Sequence, residues 1–393
     1  MRRSSNRIIV SHAGTLPRPP DLQELMMAGP DKAVEFQERL PEEITKIVRR
    51  QAEAGVDVVN DGELGKTGGF NGYIRQRMSG ISQRPLGPRD AAPHNVNKRD
   101  ALEFPGAYAA GIGAFGRRSA ALGQPAGGVA TTPFFCTEPL KYVGQENVAT
   151  DIARLKAAVQ GLDVEPYLPA IAPGTIEHWL WNEHYPNDEA FLFAIADVLH
   201  EEYKAITDAG IVLQIDDPDL PDGWQMYPEM SVADYRAYAE LRVEAMNRAL
   251  RGVPEHLVRL HICWGSQHGP HKNDVPLGDI VDIVLKVNAE CYSVEAANPR
   301  HDHEVHVWET VKLPAGKSYM PGVAGHTTDV IEHPRLIADR LLRYAKLMGR
   351  ENVIAGTDCG IGSRVGHAEI AWAKLEAMAE GARLATKELW GRS

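Results

Sequence analysis

Residues 258–265 read Val258-Arg259-Leu260-His261-Ile262-Cys263-Trp264-Gly265, a short apolar run that ends at a turn glycine. An apolar run of this length, closed by a turn residue, is typical of a buried β-strand. Seven similar runs occupy 7–11, 56–61, 164–171, 211–216, 291–296, 319–323 and 353–357. The chain therefore offers eight candidate strands.

Longer amphipathic stretches lie between or after most of these runs. They cover 41–54, 146–160, 188–209, 232–250, 277–287, 335–349 and 367–389. Strands that alternate with helices are typical of a parallel sheet covered by helices. No Gly-x-Gly-x-x-Gly turn follows the first strand, which disfavours a dinucleotide-binding sheet. We predict an α/β fold in which residues 1–393 form a single TIM (β/α)₈ barrel.

Residues 64–142 interrupt the alternation after the second strand. This stretch is rich in Gly, Pro, Arg and Asn and contains Gly68-Gly69 and Gly127-Gly128. A structureless loop of this length is improbable in a compact domain, so part of it should form a hairpin or short helices. We predict an inserted lid over the mouth of the barrel.

Composition excludes several classes of protein. The net charge of −11 disfavours non-specific nucleic-acid binding, which needs a basic surface. Apolar runs are too short to span a membrane, and the basic start lacks the apolar region of a signal peptide. The four scattered cysteines do not form a disulfide framework of the kind found in secreted domains. We expect a cytoplasmic protein, with a homo-oligomer as an open possibility.

Four side chains at strand ends suggest a metal site. His261 and Cys263 are two residues apart on one strand, so both side chains point to the same face. Imidazole and thiolate are common zinc ligands. Glu295 ends the sixth strand and Cys359 the eighth, and active sites of TIM barrels lie at these carboxyl ends. We predict that these four residues bind Zn²⁺.

Two features serve as comparisons for this site. Cys291 shares the strand parity of Glu295 but lies about 13 Å below it, at about 3.3 Å per residue, so it should be a buried structural thiol. Cys136 lies in the insertion and is not expected to bind metal.

His301, His303 and His306 have acidic neighbours, which favours a solvated helix start over a second metal site.

These motifs resemble the catalytic half of cobalamin-independent methionine synthases. The resemblance spans nearly the whole chain outside the insertion and also includes 13–18, 60–63, 173–176 and 214–218. Within that superfamily, Cys-Trp-Gly at 263–265 and Ala-Ala-Asn-Pro-Arg-His at 296–301 are similar to the short single-barrel branch. That branch includes epoxyalkane:coenzyme M transferases, which also use a zinc-bound thiolate.

The resemblance implies a role for particular residues. Glu63 and Asp216 match the positions that hold the amino group of homocysteine, and Thr15 matches a serine that contacts the same amino acid. Trp179 matches an aromatic residue that stacks on the folate, and Asp222 stands where the family usually carries Glu. His326 matches the acid that protonates the leaving group, and Asp216 is taken with it as catalytic.

The predicted function is zinc-dependent transfer of an alkyl group, such as methyl, to a small thiol such as homocysteine. Zinc deprotonates a bound thiol and keeps it nucleophilic. The partners would then be a small-molecule thiol and an alkyl donor. Three alternatives stay open, namely an epoxide-opening enzyme that uses coenzyme M, a non-catalytic zinc-binding barrel, and zinc-assisted hydrolysis.

Overall fold

The computed structural model describes residues 1–112, 133–362 and 364–391. Its strands are β1 (Ile9–Val10), β2 (Val58–Val59), β3 (Met78–Gln83), β4 (Phe134–Tyr142), β5 (Glu165–Ile171), β6 (Leu180–Asn182), β7 (Val212–Asp216), β8 (Val258–Ile262), β9 (Cys291–Val294), β10 (Ser318–Ala324) and β11 (Ile354–Thr357). Seven of the eight runs predicted from the sequence contain a whole barrel strand, and the eighth, 319–323, lies within β10.

Eight of these strands form one parallel sheet in the order β1, β11, β10, β9, β8, β7, β5, β2. The two edge strands meet where the Asp57 amide donates to the Val10 carbonyl at 2.9 Å and Ser11 Oγ donates to the Val58 carbonyl at 3.1 Å. The sheet is therefore almost closed, and the predicted (β/α)₈ barrel with an insertion after the second strand is confirmed.

Helices connect the strands. They are α1 (Pro20–Met27), α2 (Ala33–Glu53), α3 (Gly69–Gly72), α4 (Lys98–Glu103), α5 (Pro105–Ala109), α6 (Gln145–Ala158), α7 (Pro173–Trp179), α8 (Asp188–Asp208), α9 (Asp219–Met226), α10 (Val232–Ala249), α11 (Leu277–Val284), α12 (Pro334–Met348) and α13 (Ala368–Trp390). Short 3₁₀ segments occur at Gly29–Lys32, Tyr73–Gln76, Glu255–Leu257, Asp302–Glu309 and Arg350–Asn352. None of the helices in the described part of the chain has both the length and the apolar character needed to cross a membrane.

Local sequence explains where several helices begin and end. Asn187 caps α8 by accepting from the Ala190 amide, and Ser231 and Asp234 form a reciprocal capping box on α10. Gly391 ends α13 with a φ of 66°, a conformation that glycine adopts without steric cost. The eight barrel strands are nearly all buried, because helices cover their outer faces and side chains fill the barrel.

The barrel interior is layered. Ile9, Val58, Tyr167, Val212, Cys291, Met320 and Ile354 pack together at the amino ends of the strands. Side chains two positions further along point into the same interior, and many of them are polar. Cys291 is fully buried in the lower apolar layer, as predicted for a structural thiol. The polar side chains above it carry the candidate site.

The insertion folds in part as the sequence predicts. β3 and β4 pair antiparallel, and β6 adds to β4 in parallel to complete a second, three-stranded sheet. The short helices α3, α4 and α5 belong to the same stretch. Residues 113–132 of the predicted lid, including Gly127-Gly128, lie outside the described residues. The limits of the lid, 64–142, therefore stay a prediction.

One arginine fastens α4 to the barrel. Arg99 donates to the carbonyls of Trp224, Tyr227 and Met230 at 2.5, 2.7 and 3.0 Å, and its guanidinium lies 3.4 Å from the centre of the Trp224 ring. Next to it, Asp100 accepts from the backbone and side chain of Asn273. These contacts hold part of the insertion against α9 and the loop after β8.

Candidate metal centre

Three of the four predicted zinc ligands lie together. His261, Cys263 and Cys359 each place a ligand atom within 4.8 Å of the other two. The two sulfurs are 3.8 Å apart. His261 comes from β8, Cys263 directly follows that strand, and Cys359 follows β11. The carboxyl ends of the barrel strands thus bring together residues that are about a hundred positions apart in the sequence.

The geometry of this group fits zinc. Two thiolates at about 2.3 Å from a tetrahedral zinc would have sulfurs about 3.8 Å apart, which agrees with the observed separation. His261 Nδ1 lies 3.0 Å from Ser293 Oγ, so that bond orients the ring. Its other nitrogen, Nε2, is buried and has no hydrogen-bond partner among the described residues. A buried imidazole nitrogen of this kind is suited to bind a metal ion.

The two thiols are electrostatically unequal. The hydrogen bond from Cys263 holds the pKa of Cys359 well below its ordinary value, and His261 acts in the same direction. The same hydrogen bond raises the pKa of Cys263. The site therefore favours at least one thiolate beside an imidazole even before a cation binds, which is the donor set that zinc prefers.

Glu295, the fourth predicted ligand, does not join this group. It lies within 4.8 Å of His326 and Asp358 in a neighbouring cluster. Glu295 Oε2 accepts from the Trp264 amide at 2.7 Å, and Oε1 accepts from Asn298 Nδ2 at 2.6 Å. Both carboxylate oxygens therefore already have partners, and the role of Glu295 as a ligand stays a prediction.

We expect Glu295→Gln to keep most of the zinc. Three protein ligands are enough for a catalytic zinc site, and Glu295 is engaged elsewhere. Zinc affinity, measured by competition with a chromogenic chelator, should fall by no more than about 10- to 100-fold, the usual range for groups that surround a ligand set without joining it. A loss as large as that caused by Cys263→Ser would instead make Glu295 a full ligand.

The predicted acid, His326, is completely buried beside the thiols. Its Nε2 lies 3.0 Å from Ser266 Oγ, which in turn lies 3.7 Å from Cys359 Sγ. Burial lowers the pKa of His326 to about 4, so the ring is neutral at neutral pH. A neutral imidazole still carries one N–H, and its place near the thiols is compatible with donation to a leaving group.

Two predicted substrate-binding carboxylates follow different barrel strands, with Asp216 at the end of β7 and Glu63 in the loop after β2. Asp216 is paired in register with His261, and burial, followed by repulsion from Glu63, raises its pKa to about 7. Glu63 Oε1 accepts from Thr15 Oγ1 at 3.1 Å, and its Oε2 lies 3.4 Å from Lys66 Nζ. Asp216 thus lies beside a predicted zinc ligand, Thr15 and Glu63 contact each other, and their role in binding an amino acid stays a prediction.

Glu63 has an unusual backbone. Its φ of 55° is one of two positive values among the non-glycine residues that the structure describes. Such conformations cost about 1 kcal/mol or more and are concentrated at functional sites. A Cβ on Gly14 would come within 2.6 Å of Glu63 Oε1, so glycine at 14 makes room for this carboxylate. The strain is consistent with a role for Glu63 in binding.

Asp222 lies on α9, further from the thiols. It is 4% exposed, and its Oδ1 has no hydrogen-bond partner in the described chain. Burial raises its pKa well above the ordinary value, and the charges of Asp219 and Asp274 add to this shift. A buried, unpartnered carboxyl of this kind can bind a ligand group that donates a hydrogen bond.

Trp179, the predicted stacking residue, lines an apolar cleft beneath the β3–β4 hairpin. Ile74, Met78, Phe134 and Ile176 are among its neighbours there. The indole Nε1 is buried and has no hydrogen-bond partner in the residues described. The ring therefore faces the insertion. Its contact with an alkyl donor stays a prediction.

The prediction for His301 was wrong. His303 and His306 are exposed as expected, but His301 is 2% exposed and stacks on Trp264 with ring centres 4.0 Å apart. Burial acts to lower its pKa, yet hydrogen bonds to Asp274 and Glu304 raise it to about 10 overall. His301 therefore belongs to a buried ion-paired network with Asp274 and Glu304 and not to a solvated helix start.

Several residues of the site were not identified from the sequence. Ser293 orients His261, Asp358 Oδ1 accepts from the amides of Ala296 and Ala297, and Ser266 links His326 to Cys359. Ser293 could have been found, because it precedes Glu295 by two positions on the same strand face. Ser266 lies in a loop whose path no periodic pattern predicts.

Comparison with known proteins places this geometry in context. Residues 152–384 match the family described as the catalytic domain of cobalamin-independent synthases. The chain is 23% identical to a methionine synthase of Thermococcus kodakarensis, over 90% of this chain and 85% of that protein. It is 24% identical to a methionine synthase of Sulfolobus acidocaldarius, over 96% and 91% respectively.

A solved structure shares the fold. The B12-independent methionine synthase of Shewanella sp. W3-18-1, determined in complex with selenomethionine, superposes with a TM-score of 0.71 at 20% identity. The match covers 98% of this chain and all of that one. At this identity the likeness is evidence for the fold.

Proposed function

Because this chain belongs to the family of cobalamin-independent synthase catalytic domains, we propose that it is a zinc-dependent enzyme that transfers an alkyl group, such as methyl, to a small thiol. Homocysteine is the thiol that we favour. The observation that carries this proposal is the placement of a buried imidazole and two thiols next to the Asp216 carboxylate, which is itself close enough to Glu63 to be repelled by it.

The residues that would hold zinc are His261, Cys263 and Cys359, with Glu295 nearby as a further carboxylate. Zinc bound there would lower the pKa of an added thiol, so that the thiol would stay deprotonated and nucleophilic at neutral pH. His261 and Cys263 are buried and Cys359 is only partly exposed, so little water reaches the ligand atoms, which strengthens electrostatic interactions within the site. Ser293 contributes by keeping the His261 ring in one orientation.

The carboxylates provide selection. A cationic amine placed between Asp216 and Glu63 would favour the ionised form of Asp216, whose pKa burial raises to about 7. Thr15 fixes Glu63 through its hydroxyl. The site should therefore prefer a thiol that carries an amine to one that carries only an anion.

Donation of a proton to the leaving group is assigned to His326. The hydroxyl of Ser266 contacts both the His326 ring and Cys359 Sγ, and the ring carries one N–H in its neutral form. Asp222 and Trp179 are assigned to the alkyl donor, because each has a buried polar atom that no described residue satisfies.

Product analysis tests the proposal. Purified protein with zinc and homocysteine would be supplied with N-methyl and S-methyl donors in separate reactions, and methionine would be measured by mass spectrometry. Methionine should form with at least one donor and not with the Cys359→Ser variant. Formation of a thioether from an epoxide and coenzyme M, without any methionine, would contradict the proposal.

A specific observation keeps that second activity as the alternative. Burial lowers the pKa of Arg364, and the charges of Cys359 and Cys263 oppose this shift, so the guanidinium lies near both thiols. A sulfonated thiol such as coenzyme M needs a cation of this kind. Two other arginines are engaged elsewhere, since Arg18 donates to the Glu63 carbonyl and Arg75 packs on Phe134.

We also propose that residues 64–142 act as a lid. Closure of such a segment would keep water from the thiolate. We expect amides of 98–112 to exchange hydrogen more slowly when homocysteine and zinc are bound, as measured by mass spectrometry. Unchanged exchange there with every bound ligand would argue against a lid.

The contacts of Arg99 allow a sharper form of this experiment. Arg99→Ala removes hydrogen bonds to three carbonyl groups, so exchange in 98–112 and 219–230 should become about 10-fold faster, the effect of losing roughly 1.4 kcal/mol of local stability. Arg89, which is exposed in the same insertion, provides the matched control as Arg89→Ala. Equal exchange in the two variants would show that Arg99 does not hold the insertion closed.

A further inference from the structure

We propose that Gln214 and Arg259 are positioning residues that hold the Asp216 carboxylate in the orientation that selects an amine-bearing thiol. The inference rests on the proposed function, since it concerns how that thiol is recognised. Neither residue belongs to the metal group or to the set of substrate contacts described above. Both are completely buried inside the barrel.

A continuous chain of hydrogen bonds joins the two residues to Asp216. Arg259 Nε donates to Gln214 Oε1 at 2.8 Å, and Gln214 Nε2 donates to Asp216 Oδ1 at 2.7 Å. A guanidinium can only donate, so Gln214 must present its oxygen to Arg259. The amide NH₂ of Gln214 then has to face Asp216. The donor and acceptor groups of the side chains therefore fix the direction of every hydrogen bond from Arg259 to Asp216.

Arg259 is itself held from several sides. Its Nη1 donates to Ser11 Oγ at 2.8 Å, its Nη2 donates to the His12 carbonyl at 3.2 Å, and its guanidinium lies 4.1 Å from the centre of the Tyr167 ring. These partners are neutral. A buried cation is costly without a counter-charge. The hydrogen bonds connect Arg259 to the carboxylate of Asp216 through one side-chain amide, that of Gln214.

These hydrogen bonds fix the orientation of the Asp216 carboxylate. With Oδ1 engaged by Gln214, rotation of the carboxylate would break a buried charge-assisted hydrogen bond. Asp216 is the last residue of β7, at the carboxyl end of the barrel, and keeps 7% of its surface exposed. Fixing a binding group in advance reduces the ordering that a ligand must impose, and this strengthens binding.

Gln214→Glu tests the role of the amide. Glutamate has nearly the same size and keeps an acceptor for Arg259, but it replaces the donor that faces Asp216 with a second acceptor. The two probes are homocysteine and 4-mercaptobutyrate, which has the same thiol and carboxylate but lacks the amine. Calorimetry on the zinc-loaded protein should show about 30-fold weaker binding of homocysteine and less than about 3-fold change for 4-mercaptobutyrate. Equal weakening of both thiols would overturn the proposal.

A double-mutant cycle separates positioning from a general structural effect. If Gln214 acts through Asp216, Gln214→Glu should weaken homocysteine binding by less than about 3-fold when Asp216→Asn is already present. Fully additive losses would overturn the proposal. Should Gln214→Glu fail to fold, Arg259→Lys keeps the charge but loses the planar fork, and it should show the same selective loss for homocysteine.

A last comparison distinguishes this inference from the proposed function. If the wild type binds the two thiols equally or binds neither, amine selection by the site is wrong, and crystal structures of the wild type and Gln214→Glu then decide the positioning role. A single Asp216 rotamer in the wild type that is displaced or split in the variant supports it. The same single rotamer in both structures would overturn it.

Discussion

Cys263→Ser and Cys359→Ser are each expected to remove nearly all bound zinc. The wild type should carry about one zinc per chain, and each variant less than about 0.2 after dialysis, because a serine hydroxyl is not deprotonated at neutral pH and is a poor zinc ligand. The two sulfurs are 3.8 Å apart in a group that also contains His261, so either substitution breaks the ligand set. Atomic emission spectroscopy on purified protein provides the measurement.

The chain offers matched controls for this experiment. Cys291 is buried like Cys263 but lies in the apolar layer at the other end of the barrel, and Cys136 is buried in β4 of the insertion. Cys291→Ser and Cys136→Ser should both keep about one zinc. Full retention of metal in both ligand variants would remove the basis of the zinc site, while loss of metal in the Cys291 variant would point to a general defect in folding.

Asp216→Asn is expected to weaken homocysteine binding by about 100-fold, the effect of removing a charge-assisted hydrogen bond in a buried site. Asparagine keeps the size of the side chain but cannot balance a cationic amine. Binding of coenzyme M, which carries a sulfonate and no amine, should be unchanged or stronger, because a nearby negative charge is removed. Calorimetry with both thiols on both proteins gives the comparison.

Asp208 provides the matched control for this prediction. It is an exposed aspartate at the end of α8, where it pairs with Lys204, so Asp208→Asn should leave both affinities unchanged. Stronger binding of coenzyme M than of homocysteine by the wild type, with no loss of homocysteine binding in Asp216→Asn, would favour the epoxide-opening activity instead.

The order and type of the elements could be predicted from the sequence. Eight apolar runs separated by amphipathic stretches determine an alternating α/β fold, and a run such as 258–263 has the right length and bounds for a buried strand. Strand parity placed His261 and Cys263 on one face, and the carboxyl-end rule placed Cys359 near them. These inferences need only the local periodicity of the sequence and a general property of barrels. A single sequence is therefore enough to make them.

Tertiary structure alone decided which partners each side chain has. The two oxygens of Glu295 bond to Trp264 and Asn298 instead of joining the thiols, and His301 is buried although its sequence neighbours are acidic. Likewise, Arg259 reads as an isolated charge within a strand, and only the closed barrel brings Gln214 to it. The physical reason is that periodicity determines the face of an element on which a side chain lies, whereas hydrogen-bond partners depend on distances of a few tenths of an ångström between residues far apart in the chain.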